Sequence, residues 1–119
     1  TPMQHALAAY MADPEPYLQL PAFYQRKRDL FRAGLARTRL KLLPSSGSYF
    51  QCVDYSGIAS EARSLPEADF CQWLTREVGV AAIPLSAFYH DGYDQHIARL
   101  CFAKKDETLQ TALDRLAQL

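Results

Sequence analysis

One arginine lies in the middle of an apolar run, and it is the residue that most needs a chemical explanation. Ile97-Ala98-Arg99-Leu100-Cys101-Phe102-Ala103 has the apolar density of a β-strand, and Arg99 is its single charge. A guanidinium presents a planar fork of donors that matches a carboxylate in two parallel, charge-assisted hydrogen bonds. A strand-held arginine is therefore suited to grip the acid group of a small molecule. The competing reading is a structural ion pair, or an arginine at a strand end reaching solvent. Ser46-Gly47-Ser48-Tyr49-Phe50 places a glycine at the entry of an aromatic strand. Such a glycine permits a left-handed turn or close approach of another backbone, or it simply serves a hairpin. Pro84-Leu85-Ser86-Ala87-Phe88-Tyr89 ends an apolar segment on small and aromatic groups, in the kind of loop that either carries binding residues or only connects elements.

Other polar clusters favour plainer readings. His90-Asp91-Gly92-Tyr93-Asp94-Gln95-His96 contains metal-ligand atom types, but the spacing matches no closed zinc pattern and fits a solvated loop. Arg26, Lys27, Arg28, Arg32, Arg37, Arg39 and Lys41 form a basic stretch opposed only by Asp29. It reads first as a solvated helix face. The alternative is a stand-alone binding or regulatory module that uses residues 26–41 to hold phosphate or nucleic acid, although no recognisable nucleic-acid module surrounds it. Cys52, Cys71 and Cys101 are odd in number and flanked by apolar or aromatic neighbours, which suggests buried thiols in a reducing compartment. The chain has no Gly-rich phosphate loop, no Gly-x-Ser-x-Gly elbow and no local Cys–His pair, so nothing in it makes a self-contained active site.

The elements that must position these groups follow from periodicity and punctuation. Thr1-Pro2-Met3-Gln4 is a helix start with Thr as N-cap and Gln closing a capping box, and the helix should run from Pro2 to Ala12 before Asp13-Pro14-Glu15-Pro16. A second helical region, disturbed at Pro21, should reach Arg37 with Leu20, Phe23, Tyr24, Leu30, Phe31 and Leu35 on one side. Leu40–Leu43 and Ser48–Tyr55 read as a hairpin. Ser64-Leu65-Pro66-Glu67 reads as a second capping box, opening a helix with Phe70, Trp73, Leu74 and Val78 inward and Gly79 as its stop. Val80–Ile83 and Ile97–Ala103 read as strands, and Asp106 as the cap of a last helix facing inward with Leu109, Ala112, Leu113 and Leu116. This order predicts an α+β fold, with helices packed on one side of a mostly antiparallel sheet of about four strands.

Composition sets outer bounds. The 119 residues suit one sizeable core, and thirteen basic residues balance thirteen acidic ones, so the overall field favours neither nucleic acid nor an anionic membrane. No apolar run approaches the length of a membrane span and no signal peptide is recognisable, which makes the cytoplasm the expected location. The abrupt opening at a helix cap suggests a boundary inside a longer protein.

The segments Thr1–Gln4, Tyr24–Asp29, Gly47–Phe50, Val80–Phe88 and Ile97–Ala103, in that order, resemble class I/II aminotransferases of fold type I. The resemblance covers nearly the whole chain and is strongest to the branch that holds methionine and kynurenine aminotransferases. It implies that residues 13–119 are the carboxy-terminal small domain, and that residues 1–12 are a remnant helix of the large cofactor-binding domain. It implies that Arg99 binds the substrate α-carboxylate, with Tyr49, Phe50 and Phe88 as candidate lining residues. Where many members have Pro-Gly-Ser this chain has Pro84-Leu85-Ser86, so the backbone there need not follow a glycine conformation. The implied cofactor is pyridoxal 5'-phosphate, held by a lysine that precedes this segment, since Lys27, Lys41, Lys104 and Lys105 lack that lysine's usual Ser-x-x-Lys or Ser-Lys setting. The chain alone is then expected to be inactive. The complete enzyme is expected to be a homodimer acting on methionine, aromatic amino acids or glutamine and on 2-oxo acids. The first helix should pack on the large domain, and the face meeting that domain should be unusually apolar.

Overall fold

A computed structural model describes all of residues 1–119. The chain forms α1 (Pro2–Tyr10), α2 (Glu15–Leu18), α3 (Leu20–Leu35), β1 (Lys41–Leu42), β2 (Phe50–Asp54), α4 (Glu67–Trp73), β3 (Ile83–Pro84), β4 (Ile97–Cys101) and α5 (Asp106–Leu116). The four strands make one sheet in the order β1-β2-β4-β3, and every neighbouring pair is antiparallel. The α+β architecture is as the residue pattern predicts.

The sheet has two unlike faces because side chains alternate along each strand. Gln51 and Val53 of β2 and Ala98 and Leu100 of β4 are buried on one face. There Val53, Ala98 and Leu100 join Phe31 and Leu35 of α3, Leu74 after α4, and Leu109, Leu113 and Leu116 of α5 in a single core. Phe50, Cys52, Arg99 and Cys101 alternate with these residues, point to the other face and are only half-buried. Tyr55 stacks on Phe70 with ring centroids 3.7 Å apart, and its hydroxyl donates to the Leu65 carbonyl at 2.6 Å, which anchors α4 beside the sheet.

Several local expectations need correction. The break before α3 falls at Gln19 rather than at Pro21, which sits in the first turn where its missing N–H costs nothing. Leu20 and Phe23 are exposed, whereas Lys27 is buried with Phe31 and Leu35; its Nζ donates to the Lys104 carbonyl at 2.7 Å and meets Asp106 Oδ1 at 2.9 Å. Ser64 does not cap α4. It ends a short 3-10 turn at Glu61–Ser64, and α4 starts at Glu67. The strand expected at Val80–Ile83 shrinks to Ile83–Pro84, because the Gly79 N–H closes a π-helical turn at Leu74–Val78 on the Leu74 carbonyl, Gly79 reverses the chain at φ 75°, and the Val80 N–H is then held by the same carbonyl at 3.3 Å. Asp106 is the first residue of α5 rather than its cap, because its carboxylate is drawn to Lys27 and Arg26. Gly47 does not take the left-handed conformation; Ser48 does, at φ 65°.

The radius of gyration is 17.0 Å, against about 13.5 Å for a compact domain of this length. The excess comes from α1, which buries none of its residues and exposes Met3, Leu7 and Tyr10. Thr1 Oγ1 donates to Gln4 Oε1 at 2.7 Å, so the first turn is tied although the helix lies on nothing. Exposed Met11, Leu18, Leu20 and Phe23 continue the apolar surface into α2 and α3.

Two predictions follow from this packing. A Cβ at Gly34 would lie 2.7 Å from Leu113 Cδ2 and 2.9 Å from its Cγ, so Gly34→Val should overpack the α3–α5 contact and destabilise by about 1–3 kcal/mol in a urea melt. Hydrogen bonds from Lys27 and then Arg26 hold the Asp106 carboxyl below its ordinary range. A depressed folded-state pKa adds stability above the unfolded carboxyl value of about 3.9 and loses it as pH falls through the lower folded value. The melting-temperature advantage over Asp106→Asn should then be flat from about pH 5 to 8 and shrink below about pH 4.

Candidate functional site

Arg99 sits at the centre of β4, opposite Cys52 of β2 on one side and Ile83 of β3 on the other. The guanidinium carbon lies 3.9 Å from the centroid of the Phe50 ring and 4.8 Å from that of Phe88. Contact with aromatic faces suits guanidinium better than ammonium, because the planar cation is weakly hydrated and stacks. No carboxylate pairs with Arg99, and its donors meet no acceptor within the chain. A half-buried guanidinium so placed keeps its full fork free while the two rings restrict where that fork can point.

Phe50 reaches Arg99 because it opens β2, two residues along the same sheet face from Cys52. Phe88 reaches it from a 3-10 turn, Leu85–Phe88, directly after β3. Leu85 has no positive φ, so the absence of glycine there costs no backbone strain. Tyr49 is exposed and touches Phe50 and Tyr24, with ring centroids at 4.6 and 5.7 Å. It lines a separate hollow of about 480 Å³ together with Tyr17, Tyr24 and Arg28. Of the four candidate residues, Arg99, Phe50 and Phe88 therefore converge, and Tyr49 stands one ring away. A second hollow, of about 420 Å³ and lined by Phe31, Leu100, Leu109 and Ala112 among others, does not include Arg99.

The polar frame of the site was not readable as such in the residue pattern. Glu67 is fully buried, and its carboxylate accepts from the Gln95 and Ile97 N–H groups at 2.9 Å each and from the Ser86 N–H. Asp94, read above as part of a solvated loop, accepts from the Glu67 N–H at 2.7 Å and the His96 N–H at 3.0 Å. Its loop holds no group of side chains that could bind a metal. The basic stretch is also more than a solvated face. Arg32 donates to the Leu43 carbonyl and to Gln51 Oε1 at 2.9 and 2.7 Å, and Arg28 to the Ser45 carbonyl at 3.3 Å, so these cations tie α3 to the hairpin.

Fold and sheet order define a domain of the kind that forms the carboxy-terminal part of fold type I aminotransferases. The chain belongs to the class I and II aminotransferase family, whose sequence profile, described as "Aminotransferase class I and II", matches residues 1–116. It is 52% identical to the methionine aminotransferase of Escherichia coli K12 over its whole length, which is 30% of that enzyme. It is 36% identical to kynurenine–oxoglutarate transaminase 1 of Rattus norvegicus over 84% of this chain and 26% of that one. Among solved structures, Escherichia coli YbdL, whose reported reactivity identifies a methionine aminotransferase function, superposes with a TM-score of 0.83 at 51% identity, covering 92% of this chain and 28% of that one. N-succinyldiaminopimelate aminotransferase of Mycobacterium tuberculosis also superposes with a TM-score of 0.83, at 32% identity over 98% of this chain and 30% of that one. The chain thus spans less than a third of the length of these relatives.

The family implies pyridoxal phosphate, but the lysines of this chain do not fit it. Lys27 Nζ is engaged by Asp106 and the Lys104 carbonyl; Lys104 and Lys105 are exposed beyond the end of β4, and Lys41, also exposed, sits on the edge strand β1 opposite Asp54 rather than beside Arg99.

The Arg99 charge should be legible in a neighbouring thiol. Burial pushes the Cys52 thiol above its ordinary range, the Arg99 cation opposes that shift, and the Glu67 carboxylate adds to it. In protein that keeps Cys52 but carries Cys71→Ala and Cys101→Ala, Arg99→Met should move the pH–rate curve for iodoacetamide alkylation to higher pH. An unmoved curve, or one moved to lower pH, would contradict this electrostatic picture.

Proposed function

We propose that this chain is the substrate-carboxylate-binding, carboxy-terminal domain of a pyridoxal-phosphate-dependent aminotransferase, and that Arg99 is the residue that grips the carboxylate. The observation that carries the reading is a guanidinium at the centre of the sheet, packed between Phe50 and Phe88 and facing no acidic residue. The cofactor supplies the electron sink for transamination when bound, and the lysine that holds it lies in a part of the protein outside this chain. By itself the chain is inactive.

In the complete enzyme, amino acids and 2-oxo acids share a carboxylate next to the reacting carbon. Two parallel bonds from Arg99 fix that carboxylate in position and plane, which orients the neighbouring Cα–H bond and lowers the entropic part of the barrier. Phe50, 3.9 Å from the guanidinium carbon, covers one side of the cation, so its field on the bound acid is screened less than it would be in open solvent. The rings of Phe50 and Phe88 also favour substrates with an apolar or aromatic side chain. With the similarity to methionine and kynurenine aminotransferases, this supports methionine and aromatic amino acids as donors; glutamine, also implied by the family resemblance, gains no support from the rings. The exposed apolar residues of α1, Met3, Leu7 and Tyr10, give that helix a face to pack on the cofactor-binding domain. Residues 1–12 then belong to that domain and residues 13–119 to the small domain. We place the enzyme in the cytoplasm as a homodimer; no helix of the chain is long and apolar enough to cross a membrane.

The test is Arg99→Ala in the full-length enzyme. Truncating one side of a desolvated charge pair costs about 3–5 kcal/mol, so kcat/KM should fall by roughly two to four orders of magnitude. Near-normal turnover by the purified variant would remove Arg99 from this role.

A further inference from the structure

The buried carboxylate of Glu67 has no part in the chemistry above, yet it touches both segments that build the site. It opens α4, is 0% exposed and pairs with no lysine or arginine. Oε1 accepts from Gln95 N and Ile97 N, and Oε2 accepts from Ser86 N. Ile97 is two residues before Arg99 on β4, and Ser86 is two residues before Phe88 on the 3-10 turn. One carboxylate therefore fixes the starting points of the two arms whose ends meet as guanidinium on ring, 4.8 Å apart. Asp94 completes the bracket by accepting from the Glu67 N–H and from His96 N, on the chain that leads into β4.

Packing alone would hold α4 in place, since Phe70 and Leu74 lie in the core and Tyr55 stacks on Phe70. Burying a carboxylate without a cation is costly, and the cost is met only if its oxygens are fully hydrogen-bonded. All three bonded N–H groups come from the Arg99 and Phe88 arms. An ionised carboxylate is acceptor-only and serves three donors at once, whereas an amide of the same shape has one accepting oxygen and turns a donor toward the others. We propose that Glu67 is a positioning residue for carboxylate recognition: it sets the separation of the Arg99 strand from the Phe88 turn and so aims the guanidinium fork. This rests on the reading of Arg99 given above.

The experiment uses the full-length, cofactor-loaded enzyme with Glu67→Gln, Glu67→Asp and Arg99→Ala measured in parallel. Misplacing a binding group by a fraction of an ångström to one ångström costs up to about a hundredfold, so in Glu67→Gln KM for the amino-acid substrate should rise about tenfold and kcat should fall by up to about tenfold, because the same grip orients the Cα–H bond. The slow reaction of a primary amine with the same side chain but no carboxylate should not change. In an Arg99→Ala background, Glu67→Gln should add nothing to KM. Glu67→Asp keeps the charge but withdraws it by one methylene, so it should show the same selective loss in smaller measure; it is the deciding variant if Glu67→Gln does not fold. Equal losses on the acid and the amine, or a lower melting temperature with unchanged KM, would reduce Glu67 to a structural residue and overturn the proposal. An Arg99→Ala enzyme with unaltered KM would remove the carboxylate reading and this inference with it. A raised KM in Arg99→Ala alone would sink only the role of Glu67.

Discussion

A guanidinium with no anion beside it, held against two aromatic rings at the middle of a sheet, is the constraint around which the rest of this domain is arranged. The full cost of desolvating a cation is avoided because the outer face of the sheet is only half-buried, and the rings of Phe50 and Phe88 offer their negative faces in place of water. The arrangement leaves the donor fork of Arg99 unsatisfied within the chain. A structural ion pair would have filled that fork with a neighbouring Asp or Glu, and none stands there.

The two faces of the sheet divide the labour. Val53, Ala98 and Leu100 close the core under α3 and α5, which gives β2 and β4 a rigid backing. Cys52, Arg99 and Phe50 can then stay on the other face without the sheet depending on them for stability. The polar ties lie at the margins: Lys27 and Arg26 on Asp106, Arg32 on Gln51, and Glu67 on the two arms of the site. Each is satisfied internally, and no buried side-chain polar atom is left without a partner. Such networks favour one arrangement over near alternatives because breaking any member strands another.

Much of this was legible in the chain because it is local. The hairpin, the α5 stripe of Leu109, Leu113 and Leu116, the stop at Gly79 and the odd charge of Arg99 each announce themselves within a few residues. What stayed hidden depends on partners far along the sequence. Glu67 looked like the last member of a capping box, but its acceptors serve N–H groups up to 30 residues away. Lys27 looked solvated because helical spacing says nothing of an aspartate 79 residues later. The segment at Val80 has strand-like side chains, but the reversal at Gly79 after a π turn sent its first N–H back onto the Leu74 carbonyl. Phe88 could be singled out by its setting, while its approach to Arg99 needed the pairing of β3 with β4.

The most direct measurement is a crystal structure of the full-length enzyme with a 2-oxo acid bound. Two N–O contacts of about 2.7–2.9 Å between the Arg99 guanidinium and the ligand carboxylate are expected, with Phe50 and Phe88 still packed on the cation. An Arg99 paired instead with an acidic residue from the rest of the protein, or a ligand carboxylate held elsewhere, would contradict the carboxylate-binding role of Arg99.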